Sequence, residues 1–418
     1  MSFVEMRWTF CRGAGNVAAM KKRILFVGGG EAMARAVVSA GRLGYQTVAV
    51  DNAPRSPVIA AAQEGIAADV SDARELTRVA RSVQADGIYP ALEPFAPAAA
   101  TAAGELHLPG LTWDVAALMQ DKYAMRRTLS GSGVSQPTFC AAANEQEALS
   151  AAETVRLPVV VKPCDGSGSE GVRRVDHLED MPLAFVQAKR ASKNGMVLVE
   201  SFVEGRHVTV DGAVQCGSFR PISAHGSIPA PMPCCYDQAV YTPMEDELMR
   251  KLAGAAGSVA KALKLTGGIF SAEFIQAADS FFLVELHPYP LHLRLPADLL
   301  GLTGDASAVA GALRACTGEP PAKTGAPAPA HSAAISWIPT RSGVVTSIEG
   351  LQEARAVAGV RQVRVFAKPG DVMGHVVDVA TRDRVGYALA MGASAGEALD
   401  AAQKACNLCR IVTNPALH

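Results

Sequence analysis

The chain has 418 residues, with 39 Lys and Arg against 40 Asp and Glu, a formal charge of −1, and 49% apolar residues. That balance excludes a protein that binds nucleic acid or an anionic membrane through a basic surplus, and the apolar share excludes general disorder. A small molecule is the expected partner, and the length suits two to four domains.

The mean hydropathy of +0.16 is carried mostly by Ala and Val. No run approaches the ~18 consecutive apolar residues that a spanning helix needs. Glu5, Arg7 and Arg12 interrupt the first residues, so no secretory leader and a cytoplasmic location are expected. Residues 1–20, ahead of the Lys21-Lys22-Arg23 run, read as an extension outside the fold.

Residues 23–28 form a short apolar run that ends in Gly28-Gly29-Gly30, and a helical stretch, 31–43, follows. The run from Gln46 to Asp51, a helix over 73–83 and Gly87-Ile88-Tyr89-Pro90 continue the alternation. Short apolar strands alternating with helices predict a parallel α/β sheet over 21–118. From 119 to 317 the pattern changes. A charged helix, 122–130, is followed by strand runs at 157–162, 195–200, 207–211 and 281–286 with few helices between them, which predicts an α+β unit with mainly antiparallel sheet. Residues 318–330 read as a stiff Pro/Ala linker, and 331–418 as a third, α+β unit.

The nine cysteines are an odd number scattered along the chain, which suits thiols in a reducing compartment. Cys406 and Cys409 form a CxxC with no second pair to complete a zinc site, and read as two thiols on a terminal helix.

Two glycine-rich loops bear on function. Gly28-Gly29-Gly30-Glu31-Ala32-Met33-Ala34, with Asp51 closing the next strand, has the outline of a dinucleotide turn but carries Met33 at the third glycine position. Lys162-Pro163-Cys164-Asp165-Gly166-Ser167-Gly168-Ser169-Glu170-Gly171 follows an apolar strand directly. Its backbone N–H groups, hydroxyls and one ammonium suit phosphates. It is not a Walker A loop, in which the lysine follows the glycines and a helix begins at once.

Five elements then occur in a fixed order: Asp121-Lys122 opening a helix; Lys162 with its Ser/Gly loop; the run from Val199-Glu200 to Asp211; Ala272-Glu273-Phe274; and Val284-Glu285-Leu286-His287-Pro288. Together they resemble the ATP-grasp superfamily and its carboxylate–amine ligases. The tail agrees, in Ile338-Pro339-Thr340-Arg341, Lys368-Pro369-Gly370-Asp371 and Arg384-Val385-Gly386-Tyr387. The resemblance implies an ATP-grasp fold, with 21–118 as a Rossmann-like pre-ATP-grasp domain, 119–317 as the grasp domain and 331–418 as a small α+β module. It implies ATP and Mg²⁺, or Mn²⁺, as cofactors, an amide bond formed through an acyl phosphate on amino-acid or peptide-like substrates, and a homodimer.

Lys122 and Lys162 match the nucleotide lysines, with Gly166, Ser167, Gly168 and Ser169 over the phosphates. Glu200, Ser201, Phe202 and Val203 match the adenine hinge, and His207 matches the ribose position. Glu273, Glu285 and His287 match the metal strands. The pattern Glu-x-Asn-x-Arg reads here as Glu285-Leu286-His287-Pro288-Tyr289, so an imidazole replaces the amide ligand and the usual arginine is lost, with Arg294 as its substitute. Residues 220–243, Pro-rich and without clear periodicity, match the substrate loop, where His225, Cys234, Cys235 and Tyr236 would face the acceptor. Two alternatives stand beside this reading. One is a degenerate grasp protein that serves as a nucleotide-binding or regulatory subunit. The other is an NAD-dependent dehydrogenase that uses the Gly28 loop.

Overall fold

The computed structural model describes residues 21–90, 92–231, 234, 236–242, 245–290, 306–320 and 331–414. The N-terminal extension, most of the Pro/Ala linker, Cys235 and Arg294 lie outside the described residues.

Strands β1 (Arg23–Val27), β2 (Gln46–Asp51), β3 (Glu64–Ala67) and β4 (Gly87–Pro90) form a parallel sheet in the order β3-β2-β1-β4. Ile24, Leu25, Phe26 and Val27 are wholly buried, as a strand covered by helices on both faces must be. Doubly wound sheets begin with this strand order. A helix from far along the chain, Ala306–Cys316, completes one face: Val309, Ala312, Leu313 and Cys316 pack with Ile24, Phe26 and Tyr89.

A second sheet is antiparallel. It comprises β5 (Phe139–Ala142), β6 (Val159–Pro163), β7 (Arg173–Val175) and β8 (Val197–Ser201), in the order β5-β8-β6-β7. Helices Glu145–Val155 and Met181–Ala191 cover one face through Ala148, Ala152, Phe185 and Ala188, leaving the other toward the cleft.

The largest sheet gathers β9 (Arg206–Gln215), β10 (Ser218–Pro229), β11 (Asp237–Thr242), β12 (Gly267–Ala277), β13 (Ser280–His287) and β14 (Ser332–Trp337). Beyond these come β15 (Gly343–Glu349), β16 (Val360–Val365), β17 (Val372–Met373), β18 (Gly386–Gly392) and β19 (Arg410–Asn414). Eight of them are ordered β13-β12-β9-β10-β11-β14-β18-β16, while β17-β15-β19 forms a small separate sheet. Helix Asp246–Ala262 packs Leu252, Ala256 and Val259 onto the large sheet.

Two expectations need correction. The stretch 220–243 is not an irregular loop: β10 pairs with β9 through its first part and antiparallel with β11 from Gly226 on, Ser227 opposite Val240. β10 shifts register at Pro221/Ser223 against β9 and at Ile228/Pro229 against β11, so its Pro221 and Pro229 sit at bulges, where a missing N–H is tolerated, and these interrupt the alternation that would have marked a strand. Nor does the region after the linker stand apart, because β14 pairs with β11, Val240 opposite Ile335, and extends the same sheet.

Gly87 shows how tightly the helix Ala306–Cys316 is seated: a Cβ there would lie 2.5 Å from the Cys316 carbonyl oxygen and 2.7 Å from its sulfur. Gly87→Ala should therefore cost about 1–3 kcal/mol through overpacking. A lower urea midpoint with an unchanged slope is expected; an unchanged midpoint would mean that the helix does not bear on β4.

Candidate active site

Helix Lys122–Leu129 begins at Asp121, whose side chain accepts from the N–H of Ala124 at 2.9 Å. This cap places Lys122 in the first turn and Arg126 one turn further along the same face. The Lys122 N–H donates to the Cys164 carbonyl at 2.7 Å, docking the helix against the Ser/Gly loop. Its Nζ donates to the Gly166 carbonyl at 2.6 Å and pairs with Glu285 Oε1 at 2.7 Å.

Val160 on β6 lies opposite Glu200 on β8, so Lys162, two residues along, shares their face and reaches Glu200 diagonally. Lys162 Nζ pairs with Glu200 Oε2 at 2.6 Å, and Arg126 Nε donates to Glu200 Oε1 at 2.6 Å. Arg126 Nη2 also donates to the Val284 carbonyl of β13 at 2.9 Å. All three side chains are buried.

Burial alone would raise the Glu200 carboxyl, but Arg126 and Lys162 outweigh it and hold it at about 2. Lys162 is lowered by burial, with Arg126 and Lys122 adding to the effect against the pull of Glu200. Burial opposes the charge of Lys122 as well, yet Glu285, Glu93 and Glu273 raise it. Lys122, Arg126 and Lys162 therefore converge in one corner, and their N–H groups suit a polyanion.

On the other wall, Glu273 of β12 lies opposite Glu285 of β13. Like charges so placed repel, and each is bound by a cationic group: Glu285 by Lys122, and Glu273 Oε1 by His287 Nε2 at 2.9 Å. His287 Nδ1 meets Glu93 Oε1 at 2.5 Å. Burial would lower the His287 ring, but Glu285, Glu93 and the bonds to Glu273 and Glu93 raise it well above its usual value. Tyr289, where the resemblance expects arginine, is buried beside His287, and its carbonyl accepts from Ser271 Oγ at 2.8 Å.

These groups line a cleft of about 760 Å³. Gly166, Ser167, Gly168 and Ser169 line it, with Phe202, Val203 and His207, and so do His225 of β10 and Cys234, which bridges to Arg173 of β7. Tyr236 is buried but does not line it. Gly168 and Ser169 have φ of +69° and +61°, and at Gly171 a Cβ would press on the Gln187 carbonyl at 2.9 Å, so the loop requires its glycines. The C-terminal region closes over it: the Val379 N–H donates to the Gly168 carbonyl at 3.0 Å, and Trp337, Asp378, Arg382 and Tyr387 reach the cleft.

The hinge differs from expectation in two respects. Both Glu200 oxygens are taken by cations, and the Ser201 N–H is already donated to the Thr138 carbonyl at 2.8 Å. The first glycine loop forms no separate dinucleotide site. Gly29 and Gly30 open into this same cleft, the Phe95 ring lies against Gly28, and Asp51 accepts from the Ala53 N–H at 2.8 Å within its own turn.

Glu93 and Arg126 escaped the sequence reading. Glu93 follows the C-terminal end of β4, the end at which open α/β sheets place ligands, and that position was its available signal. Arg126 could have been found four residues after Lys122, on the same helical face.

Removing the charge of Glu200 leaves two buried cations uncompensated, so Glu200→Gln should cost about 3–5 kcal/mol at neutral pH. Because the folded carboxyl lies below its unfolded value, its contribution is present above the unfolded pKa and fades as pH falls toward about 2. Urea unfolding across that range should show the gap between wild type and variant narrowing with acidification.

A model described as "ATP-grasp domain" matches residues 119–291, and one described as "L-amino acid ligase C-terminal domain 2" matches 337–414. The chain is 27% identical over 341 residues to the uncharacterized protein y4rH of Sinorhizobium fredii, covering 79% of this chain and 69% of that one. It is 28% identical over 404 residues to the formate-dependent phosphoribosylglycinamide formyltransferase of Marinobacter nauticus, covering 93% and 97%. In fold it is similar to the L-amino acid ligase from Bacillus licheniformis, with a TM-score of 0.75 at 18% identity over 94% of this chain and 99% of the other. Nothing among these matches favours a dehydrogenase or a subunit without activity. With its phosphate-suited corner and paired carboxylates, the chain carries an ATP-grasp domain over residues 119–291.

Proposed function

We propose that this protein is an ATP-dependent ligase that joins a carboxylate to an amine, with amino-acid or peptide-like substrates. One observation carries the reading: Arg126 and Lys162 hold Glu200, Lys122 pairs with Glu285 beside Glu273, and the Ser/Gly loop lines the same cleft. The match of 337–414 to an L-amino acid ligase domain supports the substrate class.

Mg²⁺ or Mn²⁺ fits the donor set, because Glu273 and Glu285 each keep a second carboxylate oxygen beyond the one bound by His287 or Lys122, and hard cations prefer oxygen. Such an ion would neutralise charge on the phosphates and the developing leaving group. In this reading Lys122 and Lys162 hold the triphosphate, and Gly166, Ser167, Gly168 and Ser169 close over it. The hinge Glu200–Val203 borders the adenine, Phe202 forming part of the wall and Arg174 stacking on its ring at 4.1 Å, and His207 lies at the ribose. With both Glu200 oxygens engaged, Glu200 fixes Lys162 rather than reading the base.

The substrate carboxylate oxygen attacks the γ-phosphorus as the bond to ADP breaks, giving an acyl phosphate. The amine nitrogen then attacks the carbonyl carbon, a proton is lost, and phosphate leaves. The residues contribute position and charge, and no nucleophilic side chain is needed. His225 and Cys234 border the acceptor side. A cytoplasmic homodimer whose N-terminal unit ends near 118 completes the reading.

Purified protein with ATP, Mg²⁺ or Mn²⁺ and pairs of amino acids should release phosphate in step with amide formation. Lys162→Ala should lower turnover by roughly 10²–10³ and abolish the thermal shift given by ATP. Turnover with no pair, together with no shift on adding ATP to wild type, would sink the proposal.

A further inference from the structure

Among the described residues that line the cleft, the lysine and arginine side chains are Lys122, Lys162 and Arg382. Lys122 is bound to Glu285 and Lys162 to Glu200, where the ligase reading puts the triphosphate. Arg382 belongs to the C-terminal region and bonds none of the groups assigned to ATP or metal. Its guanidinium lies over the Trp337 ring, 3.6 Å from the centroid, a stack that fixes its plane. Nη1 donates to the Asp237 carbonyl at 2.7 Å, while Nε at 2.9 Å and Nη2 at 2.8 Å both reach Asp383 Oδ1. A guanidinium has five N–H groups, so these bonds use three and each Nη keeps one. The Asp383 side chain is 53% exposed, so water screens its charge and the guanidinium can still take a second anion.

The two substrates of such a ligase differ in what their carboxylates must do. The one that is activated has to lie at the γ-phosphate. If the amine donor is an amino acid, its own carboxylate has to lie elsewhere, in a cleft lined by Glu273, Glu285 and Asp237. An anion there is repelled unless a cation is set aside for it. Asp237 begins β11, and its carboxyl is within electrostatic reach of both Glu273 and Arg382, so the arginine stands near the reacting end without sharing it. Trp337 and Tyr387, opposite each other on β14 and β18, add an aromatic wall.

We propose that Arg382 is a specificity-determining residue: it binds the carboxylate of the amine-donating substrate, which is therefore an amino acid with that carboxylate free. The proposal rests on the ligase reading and assigns one substrate group to one side chain.

The test uses the whole protein with ATP, Mg²⁺ and one amino acid held as the acid. L-amino acids are compared as amine donors with their amides, which keep the amine and lose the anion, and the products are resolved by mass. Wild type should prefer the free acid by about tenfold or more in kcat/KM. In Arg382→Met that preference should fall to about twofold or less, through a raised KM for the donor and not for ATP. Arg382→Lys keeps the charge but loses the planar fork, so it should fall between. Equal use of acid and amide by wild type, or a preference undiminished in Arg382→Met, would overturn the proposal and leave the ligase reading standing. If Arg382→Met does not fold, an undiminished preference in Arg382→Lys overturns it. So would 2-aminoethyl phosphate turned over in preference to every amino acid, since the anion would then be a phosphate. No turnover with any donor would sink the ligase reading and this proposal together.

Discussion

Glu200 has two carboxylate oxygens and gives one to each of two buried cations, Arg126 and Lys162. Through them it joins three pieces of chain distant in sequence: the helix Lys122–Leu129, the β6–β8 pair, and β13, which Arg126 reaches at the Val284 carbonyl. Glu200 thus helps to fix to one another the two sheets that face each other across the cleft. A buried ion pair is weak evidence for stability, since desolvation offsets much of the attraction, but it is a strict constraint on geometry. Lysines held in this way are already dehydrated and aimed when a polyanion arrives, so little reorganisation remains for the bound state.

The opposite wall solves the reverse problem. Glu273 and Glu285 are cross-strand neighbours of like charge, and Lys122 and His287 each hold one of them. Lys122 therefore serves both walls, through the Gly166 carbonyl on one side and Glu285 on the other. The cleft is completed by the end of the chain. Helix Val379–Arg382 touches the glycine loop through Val379, while Arg382 donates to the Asp237 carbonyl at 2.7 Å and stacks on Trp337 at 3.6 Å. That closure explains why β14 continues the large sheet instead of starting a unit of its own: the residues that cap the loop must be carried to it on a rigid strand.

The parts legible in sequence are those whose chemistry restricts residue type. Lys122, Lys162, the Ser/Gly loop, Glu273 and Glu285 could be read because a phosphate- and metal-suited cleft admits few alternatives to lysine, glycine and carboxylate at those places. The parallel strands could be read from their uninterrupted apolar runs. What could not be read were partners brought together only by folding. Arg126 and Glu200 lie 74 residues apart, and Glu93 and His287 lie 194 apart, so no local pattern announces either pair. The hinge carboxylate looked free to bond a base because its competitors were invisible in one dimension. The β10–β11 hairpin was hidden for a local reason, since prolines at its bulges break the period-two signal.

The arginine missing at Tyr289 takes on a different meaning against this charge layout. Behind Glu273, the Tyr289 carbonyl, Ser271, Ser223 and the wholly buried Asp211 form a hydrogen-bonded cluster, with Ser271 bonding both Asp211 and Tyr289 and Ser223 reaching Asp211 at 2.7 Å. Two hydroxyls, of Ser271 and Ser223, satisfy that carboxylate. Positive charge is instead placed on both walls, by Lys122, Arg126 and Lys162 on one and by His287 on the other. A phosphate chain lying between them meets cations from two directions, and the substitution at Tyr289 moves the positive charge of the cleft without emptying it.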